Sequence, residues 1–369
     1  MSGYGPSLTP RLRPINPKRS TIVSVLDVGT SKVVCLIAEL QPVSAAEALK
    51  GRSHKARIIG LGHQRARGLK GGVVVDLESA EQSIRLAIDS AERMARVEVR
   101  SVIVNMTGGR LKSEAYHAEI SLRGQGVADA DVRRVFEAMS YTGTEPGRSV
   151  LHSLPTGFSI DETRHIRDPH GMIGERLGVD MHILTSDESA IRNLMLAVER
   201  CHVGVEAVVA SPYASGLSVL VDDEAEMGVA VVDLGGGTTS VGVFSNGVLV
   251  HADAVAVGGN HITMDIARGL STGINHAERL KTLYGSTLAS PSDDRETVAV
   301  ASVDEANSDH VYHIPKAQLV RIIRPRVEEI LELVRDRLKT SGFAAEAGRR
   351  IVLTGGGASL TGLRNFAES

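Results

Sequence analysis

Chemistry is written most densely into two similar segments. Val25-Leu26-Asp27-Val28-Gly29-Thr30-Ser31-Lys32 and Val231-Val232-Asp233-Leu234-Gly235-Gly236-Gly237-Thr238 each end an apolar run with an acid, then continue in glycine and hydroxyl residues. Glycines let backbone N–H groups approach an anion closely, and the hydroxyls of Thr30, Ser31, Thr238 and Thr239 add donors. Lys32 supplies a point charge suited to a phosphate. Asp27 and Asp233 are placed to hold a divalent cation through water, the mode that Mg2+ prefers. Phosphate cradles and carboxylates on both sides of a cleft describe a clamp for a Mg-nucleotide. Asp-x-Gly-Thr alone is also a common hairpin turn. Thr354-Gly355-Gly356-Gly357 reads equally as a strand–helix connector or as a third part of the clamp.

Those residues need strands to hold them. Thr21 to Leu26 reads as a strand, Asp27 to Ser31 as a tight turn and Lys32 to Leu40 as a returning strand. Gly228 to Val232, the turn at Asp233 and Ser240 to Phe244 repeat that pattern, closed by the hairpin signal Asn246-Gly247. Such a repeat implies two related half-domains facing one another. Strands are also expected at 56–64, 102–106, 205–210 and 351–354, with helices over 77–94 and 187–200. The longest helix spans about 316–338, and Pro325 should kink or restart it. Residues 108–183 are polar and rich in Gly, Arg and His, with Asp129 as a helix cap, and read as an inserted subdomain. Residues 286–313 are acidic and Ser-rich, and are expected to form a loop and edge strands.

Composition narrows the function classes. Aromatics make up 3% of 369 residues, with no Trp, so the core must be small and aliphatic and no base-stacking platform is expected. A net charge of −3 provides no field that selects nucleic acid or an anionic membrane. Cys35 and Cys201 lie in apolar runs and read as buried free thiols in a reducing compartment. No 18-residue apolar stretch or secretory signal is present, so a soluble cytosolic protein is expected. Pro6, Pro10, Pro14 and Pro17 alternate with basic residues, marking 1–20 as a solvated, disordered leader. The P-loop, dinucleotide-fold, zinc-protease and nucleophile-elbow motifs are absent.

The three glycine motifs, in this order, resemble the phosphate-1, phosphate-2 and adenosine motifs of the actin/Hsp70/sugar-kinase superfamily. Within it the chain is similar to the FtsA family of bacterial cell-division proteins, over about residues 21–366. Gly68-Leu-Lys-Gly-Gly-Val-Val-Val-Asp-Leu-Glu and Val198-Glu-Arg-Cys carry the likeness beyond the nucleotide motifs. The resemblance implies an α/β, actin-like ATPase fold of two ribonuclease-H-like lobes with small inserted subdomains. Subdomain 1A would span 21–107 and 184–212, 1C 108–183, 2A 213–255 and 331–369, and 2B 256–330.

By the same resemblance, Asp27, Gly29, Thr30, Ser31 and Lys32 would contact the phosphates and metal of Mg-ATP from one lobe. Asp233, Gly235, Gly236, Gly237 and Thr238 would do so from the other, while Gly355, Gly356 and Gly357 line the adenosine. Glu278 and Lys281 resemble the acid and lysine that hold ribose and base; a surface ion pair is the plainer reading of that spacing. Arg326 falls on the adenine side of the family pattern, though a solvated helix-face arginine is the plainer reading. Glu188 is a candidate for orienting the attacking water, but an acid in a helix's first turn also simply complements the dipole. The implied activity is at most a weak Mg-dependent ATPase, with nucleotide acting as a conformational switch.

The implied role is a division adaptor on the cytoplasmic side of the inner membrane. Such proteins bind FtsZ through 2B, self-associate into protofilaments and recruit later division proteins through 1C. They end in an amphipathic anchoring helix; this chain stops at Ser369 before any such segment and is expected to hold a membrane poorly on its own. A pilus-assembly-type actin-like ATPase and a small-molecule kinase of the same superfamily are the alternatives.

Overall fold

A computed structural model describes residues 15–44, 53–122, 124, 126–139, 145–302 and 311–368. Most of the proline-rich leader, up to residue 14, and residues 303–310 of the acidic segment lie outside the described residues.

Strand β1 (Thr21–Val28) turns at Gly29 into β2 (Lys32–Pro42), and β3 (His54–Arg65) extends the antiparallel sheet. A small ladder, β4 (Leu69–Lys70) with β5 (Val73–Val74), leads to α1 (Leu77–Ala95). Asp76 caps α1 by accepting from the Ser79 N–H at 3.2 Å. Ala80, Ile84, Ala87, Ile88 and Ala91 form the buried face of this helix, at the spacing that a helix lying on a sheet requires. β6 (Ser101–Met106) then runs parallel to β1.

The chain leaves the first sheet here to build a second. β7 (Lys112–Ser121), α2 (Asp129–Ala138), β8 (Arg148–Ile160), β9 (Thr163–Ile166) and β10 (Arg176–Asp187) form a four-stranded antiparallel sheet, β7-β10-β8-β9, carrying one helix. Asp129 is the first helical residue of α2 and not its cap; Ala128 holds the cap position with no side-chain cap bond, and the Asp131 carboxylate accepts from the Ala128 N–H at 3.1 Å. An acid at the third helical position can reach back to the cap residue's N–H in this way.

α3 (Glu188–Glu199) and β11 (Gly204–Ala210) return to the first sheet, completing the order β11-β6-β1-β2-β3. α4 (Ser211–Val219) and α5 (Asp222–Met227) cross to the second lobe. Its sheet is β14-β13-β12-β17, from β12 (Val229–Leu234), β13 (Thr239–Ser245), β14 (Val248–Val255) and β17 (Ile351–Thr354). Between β14 and β17 lie α6 (Gly259–Gly269), α7 (Ile274–Tyr284), the pair β15 (Thr297–Ala301) and β16 (Val311–Pro315), and α8 (Lys316–Ser341). A short α9 (Leu363–Ala367) follows β17.

α8 runs through Pro325 as one helix, so the expected restart does not occur. Proline removes one backbone bond at a cost of about 3 kcal/mol. Leu319, Ile323, Val327, Ile330 and Val334 are all buried, and burying each such side chain contributes about 1.5–3 kcal/mol, which outweighs that loss.

The lobes do not have wholly separate cores. Leu111 and Leu151 of the inserted sheet share one apolar cluster with Leu26 and Val104 of the first sheet and with Val231 and Leu249 of the second lobe. At the same seam the Ser113 hydroxyl donates to Ala252 O at 2.9 Å and accepts from Ala252 N–H at 2.8 Å, pinning β7 to β14. Nε2 of buried His182 lies 2.8 Å from the same hydroxyl.

Candidate functional site

The two glycine segments fold into matching turns. Gly29 N–H donates to Lys32 O at 3.0 Å in the first, and Gly235 N–H donates to Thr238 O at 2.9 Å in the second. Each sits at the end of its sheet's central antiparallel hairpin, with Asp27 closing β1 and Asp233 closing β12. The turns abut across the cleft: a Cβ on Gly236 would strike Ser31 Oγ, and one on Gly237 would strike the Thr30 side chain. Ser31 Oγ donates to Asn260 Oδ1 at 3.0 Å, while Thr30 Oγ1 accepts from Gly72 N–H at 3.0 Å. The first N–H groups of α6 close onto the triple-glycine turn, from Gly259 to Gly235 O at 2.9 Å and from Asn260 to Gly236 O at 2.7 Å.

The third motif joins them through β17, which pairs in parallel with β12 so that Thr354 stands beside Asp233. Gly355 follows with φ +83°, and any side chain there would run into the Asp233 carboxylate. Only glycine fits that position without strain.

Together these segments enclose a cavity of about 470 Å³. Asp27, Gly29, Thr30, Ser31, Lys32, Asp233, Gly235, Gly236, Gly237, Thr238, Glu278, Lys281, Gly355, Gly356 and Gly357 all line it. Glu278 and Lys281 pair at 2.7 Å on α7, and Lys281 Nζ also donates to Thr263 Oγ1 at 2.8 Å and Gly259 O at 3.1 Å. That pair therefore forms part of the cavity wall.

Glu188 stands apart. It begins α3, pairs with Arg192 one turn on and is not among the lining residues. An acid in a first helical turn has the same local signature whichever way it faces, so sequence cannot separate the two cases. Arg326 is likewise engaged elsewhere, with two hydrogen bonds to Asp265, at 2.6 and 3.2 Å, tying α8 to α6.

Burial pushes the Asp233 carboxyl above its ordinary value; the Ser215 hydroxyl, donating at 2.7 Å, pulls against that rise, and the charge of Asp27 adds to it. A like charge facing the same cavity disfavours ionisation of Asp233. Among the described residues no group of three His, Cys, Asp or Glu is placed to hold a metal. Asp27 and Asp233 could supply only part of a cation's oxygen shell, and the rest would fall to water or to a ligand. A glycine cradle that side chains would fill, two acids, Lys32 and the Lys281–Glu278 pair fit a magnesium-bound phosphate ester chemically.

Several lining residues carry no motif and were not singled out from sequence: Asn105, Thr107, Ser211 and Asn260. The one available signal was that Val102 to Gly109 has the same form as Ile351 to Gly357, an apolar strand running into Thr and glycines.

Comparison with known proteins places this geometry. The family model "Cell division protein FtsA" matches residues 230–369, and "SHS2 domain inserted in FTSA" matches residues 108–185. The cell division protein FtsA of Rhizobium meliloti (strain 1021) is 52% identical over 359 residues, covering 97% of this chain and 81% of that protein. This chain belongs to the FtsA family. FtsA of Escherichia coli (strain K12) is more distant, at 32% identity over 354 residues, covering 94% of this chain and 81% of its own. Among solved structures, the PilM-PilN type IV pilus biogenesis complex aligns with a TM-score of 0.60 at 15% identity, over 94% of this chain and 84% of that one. MreB5 of Spiroplasma citri bound to ADP aligns with a TM-score of 0.54 at 16% identity, over 95% and 89%. This chain thus has the actin-like ATPase fold. Among its described residues no helix is long and apolar enough to cross a membrane.

Proposed function

We propose that this FtsA-family protein binds ATP with Mg2+ in the interlobe cavity and uses it as a conformational clamp in cell division. The observation that carries the reading is convergence: three glycine motifs distant in sequence meet around one cavity with an acid from each lobe. Thr30, Ser31, Thr238 and the glycine N–H groups would hold the phosphates, with Lys32 as their counter-charge. Asp27 and Asp233 would hold the cation through water. Gly355, Gly356 and Gly357 would flank the adenosine, and Glu278 and Lys281 the ribose and base. A bound Mg2+ supplies charge neutralisation among the phosphate oxygens. Contacts from both lobes to one ligand favour the closed arrangement over the open one, which is how binding becomes a switch. Glu188 has no part in this scheme, and turnover is at most slow.

In this reading residues 21–107 and 184–212 form subdomain 1A, 108–183 form 1C, 213–255 and 331–369 form 2A, and 256–330 form 2B. The protein links FtsZ polymers, through 2B, to the cytoplasmic membrane at the division site. It self-associates into protofilaments, and 1C recruits later division proteins.

Pelleting of purified FtsZ polymers with this chain, with and without Mg-ATP, tests the adaptor role. Co-pelleting that changes with Mg-ATP is expected. Nucleotide binding without co-pelleting at any Mg-ATP concentration would overturn the FtsZ link and leave the clamp standing.

A further inference from the structure

The hydroxyls of Thr107 and Ser211 have no part in the clamp described above. Thr107 follows β6 and Ser211 opens α4; both residues line the cavity, and their hydroxyl oxygens lie 2.5 Å apart. Ser211 is 1% exposed, whereas Thr107 is only half-buried and is the member of the pair that a ligand can reach.

The repeat between the lobes says where in the cavity this pair stands. β6 runs beside β1 as β17 runs beside β12, with Asn105 opposite Asp27 and Thr354 opposite Asp233. Two residues further along each strand, Thr107 is the counterpart of Gly356. A Cβ added at Gly356 would meet nothing within 4 Å, so the second lobe keeps open space where the first places a threonine. Because the two hairpins face one another, a two-fold relation between them puts β6 and β17 at opposite ends of the facing turns. The β17 end is walled by the close of α7, where Gly285 packs on Leu360; the β6 end is walled by Ser211 and by Gly72, which packs on Gly108.

We infer that Thr107 donates its hydroxyl proton to the terminal phosphate of a bound nucleoside triphosphate, with Ser211 as the residue that positions it. This rests on the reading of the cavity as a nucleotide site with the adenosine at Gly355 to Gly357, since the phosphate chain then runs towards the β6 end. A hydroxyl has one proton to give and two lone pairs with which to accept. With Ser211 donating to Thr107, the Thr107 proton is left for a phosphate oxygen. A diphosphate ends short of this pair, so the contact tells the two nucleotides apart. Ser215, one turn along α4 from Ser211, donates to Asp233, so the same helix joins the contact to the acid of the second lobe.

The test is equilibrium titration of the full chain with ADP and with a non-hydrolysable ATP analogue, both with Mg2+, for wild type, Thr107→Val, Thr107→Ser and Ser211→Ala. Thr107→Val keeps the shape and removes the hydroxyl. Its triphosphate affinity should fall about tenfold or more, the scale of a hydrogen bond to a charged group, while ADP affinity stays within about twofold. Thr107→Ser, which keeps the hydroxyl, should bind the triphosphate within about threefold of wild type. Ser211→Ala should repeat the Thr107→Val pattern in weaker form, and an unaltered Ser211→Ala would remove the positioning role. Retained ADP binding shows that a variant is folded. A loss shared equally by both nucleotides, a Thr107→Ser variant as weak as Thr107→Val, or no change in Thr107→Val would overturn the inference and leave the nucleotide reading intact. If wild type binds neither nucleotide, both fall together.

Discussion

The two turns that face each other across the cavity share a backbone and differ in how their acids are held. Both are closed by a glycine N–H on a carbonyl three residues later, and both carry an aspartate at the strand end. Asp27 is met by an amide from the neighbouring strand of its own sheet. Asp233 is met by a hydroxyl from α4, the helix that crosses between lobes, and its carboxyl is pushed up by burial. Matched geometry with unmatched chemistry sets the two acids apart: one is oriented by its own lobe, the other is made reluctant to ionise by burial.

The severest way to break that pairing is Asp233→Ala. Affinity for Mg-ATP should fall about a hundredfold, the scale of losing a charged partner in a partly buried site. Binding in EDTA should change little, and equal losses in both conditions by equilibrium titration would remove Asp233 from the cation's shell. Glycine substitutions come next. Gly355→Ala combines φ +83° with a collision against Asp233 and should cost about 1–3 kcal/mol or more by chemical denaturation. Gly356→Ala meets nothing within 4 Å and should stay within about 0.5 kcal/mol. Similar costs for the two would mean that the third motif is not packed against Asp233 as described.

The gentlest probe is pH. A carboxyl whose folded pKa is raised binds its proton more tightly in the native state, so the native state loses stability as pH rises between the unfolded and folded values. Asp233→Asn keeps the shape and removes the charge. Its unliganded melting temperature should exceed that of wild type at pH 7, and the gap should close as pH falls towards the ordinary carboxylate range. An Asn variant less stable than wild type at pH 7 would show that the Ser215 bond outweighs burial.

Much of this was legible before any coordinates because it is local. Apolar runs ending in Asp-x-Gly mark strand and turn together, so both hairpins and the α1 stripe could be read from residue order alone. Asn105, Ser215 and Asn260 are single polar residues whose partners lie 78, 18 and 229 positions away, and no short pattern marks them. α4 and α5 were also illegible: small residues such as Ser211, Ala214 and Gly216 lack the apolar periodicity that announces a helix, and tertiary packing decides their state. The restart that Pro325 suggested fails for the opposite reason, since a strong local signal yielded to a long buried face.

The Ser113–Ala252 pair gives the inserted sheet a mechanical meaning. That sheet grows from the first lobe at Met106 and Glu188 yet is fastened to β14 of the second, so it spans the two like a tie-bar. Rotation of one lobe against the other must either shear that fastening or swing the whole sheet. The opposite edge is held as well, because Arg167, just past β9, pairs with Glu226 on α5. The insertion is thus tied to the second lobe at both of its edges, and any closing of the cleft would have to carry it along or strain both ties.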